Sequence, residues 1–264
     1  MSNSNPMNQE KEITIYIIVP LYNEAENIDR LINGIRRFIE EHAQYQIRCI
    51  FVDDNSTDKT KEKLLQHREE LNFTLLQHDK NRGPGHAFAT AFEYIASNLS
   101  YDDYVVTKEG DNTSRDETLN VMLERSVREG QDLILASPYA YGGSLGDTNL
   151  LRSMLSHFAN GFVKMALGIH GIHTMSSFYR VYKGSLIKKL QKRYGTRILE
   201  RSGFESMVEL LMKIIALDAT ISEVSFELDT ANRAGKSKMK VIKTGLGYLS
   251  LWKDKSRWIS IANA

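Results

Sequence analysis

Glu109 and Asp111 stand two residues apart where an apolar run ends, and from there two carboxylates can be directed at one hard cation. Mg²⁺ and Mn²⁺ take oxygen ligands of that kind and often bridge one or two carboxylates to substrate phosphates. Three other polar clusters end apolar runs in the same way: Pro20-Leu21-Tyr22-Asn23-Glu24, Asp53-Asp54-Asn55-Ser56 and Asp79-Lys80-Asn81-Arg82-Gly83-Pro84-Gly85. The runs themselves, residues 13–19, 47–52, 73–77 and 104–107, read as β-strands. In an open parallel sheet the ligand crevice lies outside the carboxyl ends of the strands, so the four clusters describe one site.

The segments between them fit such a sheet. Ile28, Leu31, Ile32, Ile35, Phe38 and Ile39 recur at the spacing of an amphipathic helix. Ser56, Thr57 and Asp58 supply cap residues for a second helix with Leu64, Leu65 and Leu71. Ala87, Phe88, Ala91, Phe92 and Ile95 mark a third, Leu119, Met122 and Leu123 a fourth, and a fifth strand follows over 133–136. Strand and helix alternating at this spacing require right-handed crossovers and a mainly parallel sheet. The second half reads as a Gly/Asp-rich loop (142–149), a helix (150–167), a strand-like aromatic segment (175–182), a helix (205–217) and a strand (221–228). The expected organisation is a disordered lead-in over 1–10 and one domain over 11–240, followed by a C-terminal helical tail over 241–264. Within the domain, 11–137 reads as a nucleotide-type half and 138–240 as an acceptor-type half.

The balance of 34 basic and 33 acidic residues, net +1, argues against nucleic acid held through overall charge. The distribution is uneven: from Arg233 to Arg257 there are eight Lys or Arg and one acid, Asp254. That stretch is either a solvated basic tail or an anion or membrane-surface patch, and the tail either packs on the domain or lies on a membrane with Trp252 and Trp258 at the interface. Cys49, the single cysteine, excludes an intrachain disulfide and a cysteine-based metal site, and its apolar strand makes it a core residue. No run approaches the roughly 18 apolar residues of a membrane span. Residues 1–10 lack a signal-peptide core. These features predict a cytoplasmic protein, free or peripheral at the cytoplasmic face of the membrane. His170 and His173, without a carboxylate nearby, are expected as loop or core residues.

A dinucleotide-binding fold would need G-x-G-x-x-G after the first strand, and a P-loop would need Gly-Lys-Ser/Thr. Both are absent. A crevice this rich in carboxylates suits a diphosphate only with a divalent cation between them.

The succession V-P-x-Y-N-E-x-x-N-I (19–28), V-D-D-x-S-x-D (52–58), N-x-G-x-G-x-A (81–87) and acidic-x-acidic (109–111) resembles the family-2 inverting glycosyltransferases. Those enzymes have the GT-A fold, a doubly wound, mainly parallel α/β sheet with helices on both faces. Within the family the chain looks most like the dolichyl-phosphate mannosyltransferase, or polyprenyl-phosphate glycosyltransferase, branch. Ser177-Phe178-Tyr179-Arg180-Val181-Tyr182, Gly203-Phe204-Glu205 and Arg233-Ala234-Gly235-Lys236-Ser237-Lys238 are similar to segments of that branch and extend the likeness to about residue 238.

The resemblance implies that Pro20, Tyr22 and Glu24 line a nucleotide pocket and that Asp53, with Asp54 beside it, faces the base and ribose. Gly83 and Gly85 would let the backbone approach the sugar nucleotide, and Glu109 and Asp111 would hold Mg²⁺ or Mn²⁺ on its diphosphate, with Thr113 a supplementary ligand at most. Arg152, Arg180, Arg233 and Lys238 are the cations expected around acceptor or donor phosphates. A lipid-phosphate acceptor is already anionic and needs no base, whereas a hydroxyl acceptor would give its proton to Glu205. The implied activity is transfer of a hexose from a GDP- or UDP-sugar to polyprenyl phosphate. The chain departs from the branch at Glu109, where Asp is usual, and at Ala136-Ser137-Pro138, where Gly-Ser-Arg is usual and a phosphate-binding arginine is lost. A glycan hydroxyl in surface polysaccharide synthesis therefore stays open as acceptor, as does a catalytically silent sugar-nucleotide-binding protein. A nucleotidyltransferase would need the Gly-rich first loop that is missing.

Overall fold

The computed structural model describes residues 12–146, 160–161, 164–165, 167–229, 234 and 241–263, without the side chains of 241–246 and 249. Arg152, Arg233, Lys238, the lead-in expected over 1–10 and most of the helix expected over 150–167 lie outside the described residues. In chain order the strands are β1 (Thr14–Leu21), β2 (Gln46–Asp53), β3 (Phe73–Gln77), β4 (Tyr104–Thr107), β5 (Leu133–Ser137), β6 (Arg180–Lys183) and β7 (Ile221–Ser225). They form one seven-stranded sheet in the order β3-β2-β1-β4-β6-β5-β7, parallel throughout except for β6, which runs antiparallel to β4 and β5. The helices are α1 (Ile28–Glu41), α2 (Thr60–Gln66), α3 (Pro84–Ile95), α4 (Asp116–Glu129), α5 (Gly184–Tyr194), α6 (Ser206–Ile215) and α7 (Val241–Asn263).

Side chains alternate across a strand, and β1 shows how that divides the core. Ile15, Ile17, Val19 and Leu21 pack with α1, α2 and α4, whereas Tyr16 and Ile18 pack with α3, α5, α6 and α7. Covering both faces is why the parallel strands read as nearly continuous apolar runs. The stripe predicted for α1 is buried at Ile28, Leu31, Ile32, Ile35 and Phe38, and Gly130 (φ 66°) ends α4 in the left-handed conformation glycine tolerates best.

Three expectations change. The segment 175–182 is strand only from Arg180, which lies opposite Thr107, the last residue of β4; before it Tyr179 gives β5 only its carbonyl, to the Ala136 amide (3.0 Å). The strand expected over 221–228 stops at Ser225, with Glu227 making one isolated bridge to Ser144. Leu71 lies beyond α2, which stops at Gln66.

Helix α7 buries Leu251, Trp258 and Ala262 and leaves Trp252 exposed. A charged cluster fastens it. The Trp258 indole donates to Glu200 (2.7 Å), Arg257 binds Glu200 through both terminal nitrogens (3.0 and 2.9 Å), and Arg201 pairs with Asp254. Burial would raise the Glu200 carboxyl, but the Arg257 and Trp258 hydrogen bonds and the nearby Lys213 charge hold it down at about 2. Beneath lies a fully buried ion pair, Lys213 to Glu209 (2.5 Å), whose lysine also donates to the carbonyls of Arg197 (2.6 Å) and Ile198 (3.1 Å). Glu209 in turn accepts the amides of Glu200 (2.9 Å) and Arg201 (2.8 Å), so α6 grips the loop that leads into it.

Removing one partner of a buried pair strands the other's charge. Lys213→Met is therefore expected to lower the unfolding free energy by about 3–5 kcal/mol in urea titration, with Glu209→Gln in the same chain recovering part of that. Unchanged stability of the single variant would show that the pair contributes nothing net.

Candidate active site at the carboxyl edge of the sheet

The register brings the loops together. Leu21 pairs with Asp53 and Ile18 with Thr107, so β1, β2 and β4 deliver their following loops to one edge. Each loop turns through a left-handed asparagine, at Asn23 (φ 54°), Asn55 (φ 61°) and Asn112 (φ 61°), a conformation in which Asn is among the favoured non-glycine residues. The first two loops are knitted by hydrogen bonds. The Asn23 amide donates to Ser56 Oγ (2.9 Å), Asn23 Oδ1 accepts from the Thr57 amide (2.7 Å), and the Glu24 amide donates to Thr60 Oγ1 (2.7 Å). Pro20 and Tyr22 are half-buried beside them, and Glu24 is buried with Asn27 Nδ2 on its carboxylate (2.6 Å).

The two adjacent aspartates have different tasks. Asp53 accepts from the Ser56 amide (3.1 Å) at the end of β2. Asp54 is occupied by His78 Nδ1 (2.6 Å) and by the amides of Arg82 (2.8 Å) and Gly83 (2.7 Å), while His78 Nε2 meets Thr90 Oγ1 (2.9 Å). Asp54 thus ties the entry of α3 to β2, a structural role that composition alone does not distinguish from ligand contact. Gly83 and Gly85 are required by a protein neighbour. A Cβ at Gly83 would sit 2.4 Å from the Ser202 carbonyl oxygen, and one at Gly85 2.1 Å from that of Arg201. The Gly85 amide donates to Ser202 O (2.8 Å), which docks the loop before α6 onto α3.

Glu109 and Asp111 follow β4 as expected. Gly110 separates them because a Cβ there would lie 2.6 Å from Leu21 and 3.3 Å from the Pro20 carbonyl. Burial, and then the charge of Asp111, push the Glu109 carboxyl up, although Ser114 Oγ donates to it. Asp111 Oδ1 accepts from Thr113 Oγ1 (2.7 Å), so Thr113 orients Asp111. Two carboxylates held together with like charge suit a divalent cation. Among the described residues no group of three or more His, Cys, Asp or Glu is placed to hold a metal, so donor phosphates and water would complete the shell, as is usual for Mg²⁺. The neighbouring Lys108 is turned away onto Asp116 (2.8 Å). A cleft of about 600 Å³ opens beside this loop, lined by Asn112, Ser114, Arg115, Arg30, Phe226 and others.

In the second half of the chain, Phe178 stacks on Phe204 (5.2 Å) and meets Phe88 of α3 edge-on (5.3 Å), which brings Glu205 to the start of α6 beside this edge. Arg180 departs from expectation. It is fully buried, with Nε on the Ser177 carbonyl (2.7 Å) and Nη2 on that of Met175 (3.0 Å), so its fork holds the 175–178 loop and presents no exposed phosphate contact. Its Nη1 has no protein partner. His173 does have a carboxylate, Glu223 (2.6 Å), which also accepts the amides of His173 and Thr174 and is used in holding that loop. Asn27 was passed over in the sequence, although its place in the first motif was the signal. Its side chain accepts from the Ala234 amide (2.9 Å) and donates to the Ala234 carbonyl (3.3 Å), and Asn112 Nδ2 donates to its backbone carbonyl (2.9 Å).

A parallel sheet with one reversed strand and acidic loops at its carboxyl edge defines a GT-A glycosyltransferase. Residues 16–191 match the family described as Glycosyl transferase family 2, and the chain belongs to that family. It is 26% identical over 227 residues to a polyprenol monophosphomannose synthase of Mycolicibacterium smegmatis, covering 84% of this chain and 80% of that one. A dolichol-phosphate mannosyltransferase of Pyrococcus furiosus is 25% identical over 86% of this chain, which spans only 59% of that relative. Glucosyl-3-phosphoglycerate synthase of Mycobacterium tuberculosis, solved with Mn²⁺, UDP and phosphoglyceric acid, shares the fold at 15% identity (TM-score 0.62), over 94% of this chain and 78% of that one.

Asn27→Ala would leave the partly buried Ala234 amide and carbonyl without their partner, a loss of about 1 kcal/mol. The expected result is a lower urea midpoint together with weaker donor binding by titration. A variant with wild-type donor affinity would show that the pinned segment lies apart from the donor.

Proposed function

We propose that this glycosyltransferase is metal-dependent and inverting, and that it moves a hexose from a nucleotide diphosphate sugar to polyprenyl phosphate. The observation that carries the reading is the Glu109 and Asp111 pair, two buried-edge carboxylates of like charge on the loop where a diphosphate would need a cation. Glu109 and Asp111 would hold Mg²⁺ or Mn²⁺, which when bound neutralises charge developing on the departing nucleoside diphosphate. Asp53, Tyr22, Pro20 and Glu24 form the walls for the nucleoside, held in place by the ties between the first two loops. Asp54 positions these walls indirectly, through α3. The acceptor attacks the anomeric carbon from the face opposite the leaving group, which inverts it. The names of the two sequence relatives favour a polyprenyl or dolichyl phosphate acceptor. Arg152, Arg233 and Lys238 are the cations we assign to its phosphate, with Arg180 supporting the loop beneath.

A hydroxyl acceptor is the second reading, favoured by Pro138 in place of an arginine and by Glu205 at the start of α6. In that case the hydroxyl proton passes to the Glu205 carboxylate as the glycosidic bond forms. No helix among the described residues is long and apolar enough to cross a membrane. We place the protein at the cytoplasmic membrane surface on the strength of the acceptor class and the exposed Trp252.

Nucleoside diphosphate release from a panel of GDP- and UDP-sugars, with Mn²⁺ or Mg²⁺ and with or without a short polyprenyl phosphate, tests this. Lipid-stimulated, metal-dependent release is expected, and Asp111→Asn should reduce it by about a hundredfold or more. Release indifferent to the lipid would favour the hydroxyl acceptor, binding without release would mark a silent protein, and full activity of the variant would remove Asp111 from the site.

A further inference from the structure

Glu205 lies between two glycines from distant parts of the chain. A Cβ at Gly203 would stand 2.4 Å from a Glu205 carboxylate oxygen, and one at Gly247 would stand 3.0 Å from the carboxyl carbon and 3.1 Å from Cγ. Gly203 belongs to the same loop as Glu205 and its amide donates to Oε1 (3.3 Å). Gly247 belongs to α7. Its conformation is ordinary helix, with no left-handed φ that would call for glycine. Glycine inside a helix costs about 1 kcal/mol relative to alanine, so α7 gives up stability at the one turn that meets Glu205.

The same turn is fastened to the acceptor half from both sides. Tyr248, next to Gly247, hydrogen-bonds Ser176, and burial raises its hydroxyl. One turn and more further on, Asp254, Arg257 and Trp258 bind Arg201 and Glu200, the residues just before the Gly203-Glu205 turn. Helix α7 is thus fixed to the loop whose carboxylate it confines.

We propose that α7 forms a wall of the acceptor site and that Gly247 is a positioning residue, setting the carboxylate of Glu205 by leaving it room. The proposal rests on Glu205 standing at the acceptor end of the crevice. A carboxylate displaced by a methyl group would meet the acceptor in the wrong place, and misplacements of about 1 Å can cost up to a hundredfold in rate.

The test uses the full chain, the donor that turns over in the panel, and polyprenyl phosphate and glycan acceptors in parallel. For Gly247→Ala we expect a melting temperature equal to or above that of the parent, an unchanged donor KM and a loss of about tenfold or more in acceptor kcat/KM. Adding Glu205→Asp, whose side chain is one methylene shorter, should restore part of that loss. Gly161→Ala, where a Cβ meets nothing within 4 Å, serves as the helix-glycine control. Parent-like acceptor kinetics for Gly247→Ala would overturn the proposal, and so would a loss shared with donor KM and melting temperature, the mark of general packing. Glu205→Gln separates the two readings. If it leaves transfer intact while Gly247→Ala still impairs the acceptor alone, the wall stands and the role of Glu205 falls.

Discussion

The register of β1 against β2 and β4 is the constraint on which the site depends. With Leu21 opposite Asp53 and Ile18 opposite Thr107, three loops leave the sheet within a few residues of one another and have to share the space. The left-handed asparagines, the glycine at 110 and the exchange of hydrogen bonds between the first two loops all follow from that crowding. A one-residue slip of β1 would send every side chain of the strand to the opposite face and break up both cores along with the edge.

Two acidic sites in the molecule show opposite treatment of buried charge. Glu209 receives a lysine and two backbone amides, which is what a carboxylate taken out of water needs. Glu109 is set beside another carboxylate, while Lys108 points to Asp116. The fold thus supplies a cation to Glu209 and turns Lys108 away from the Glu109 and Asp111 pair.

Much of this was legible in the sequence, for a definite reason. Strands buried on both faces give apolar runs, and their ends are marked by residues that only loops tolerate, so β3 and β4 could be bounded without the structure and β1 and β2 to within two residues. The acidic and glycine motifs placed the edge. What escaped was long-range. Arg180 has the residue type of a phosphate ligand, and only its register opposite Thr107 shows that it is enclosed. That Gly83 and Gly85 also make room for Arg201 and Ser202, more than a hundred residues on, could not be read from the sequence. Lys213 and Glu209, four apart in an otherwise apolar helix, carried a readable signal, but their partners at Arg197, Ile198 and Glu200 did not.

The placement of β6 bears on how the chain can be made. The two strands that flank it, β4 and β5, are both complete by residue 137, yet they are joined only through a strand that is synthesised more than forty residues after β5. The sheet therefore remains open at its middle until residue 183 has emerged, and β7 must still add to β5 after that. Such non-local pairing favours slow folding. It also means that the two ends of the chain meet in a single sheet, so that cutting the sequence after β5 would leave β4 and β5 without the strand that joins them.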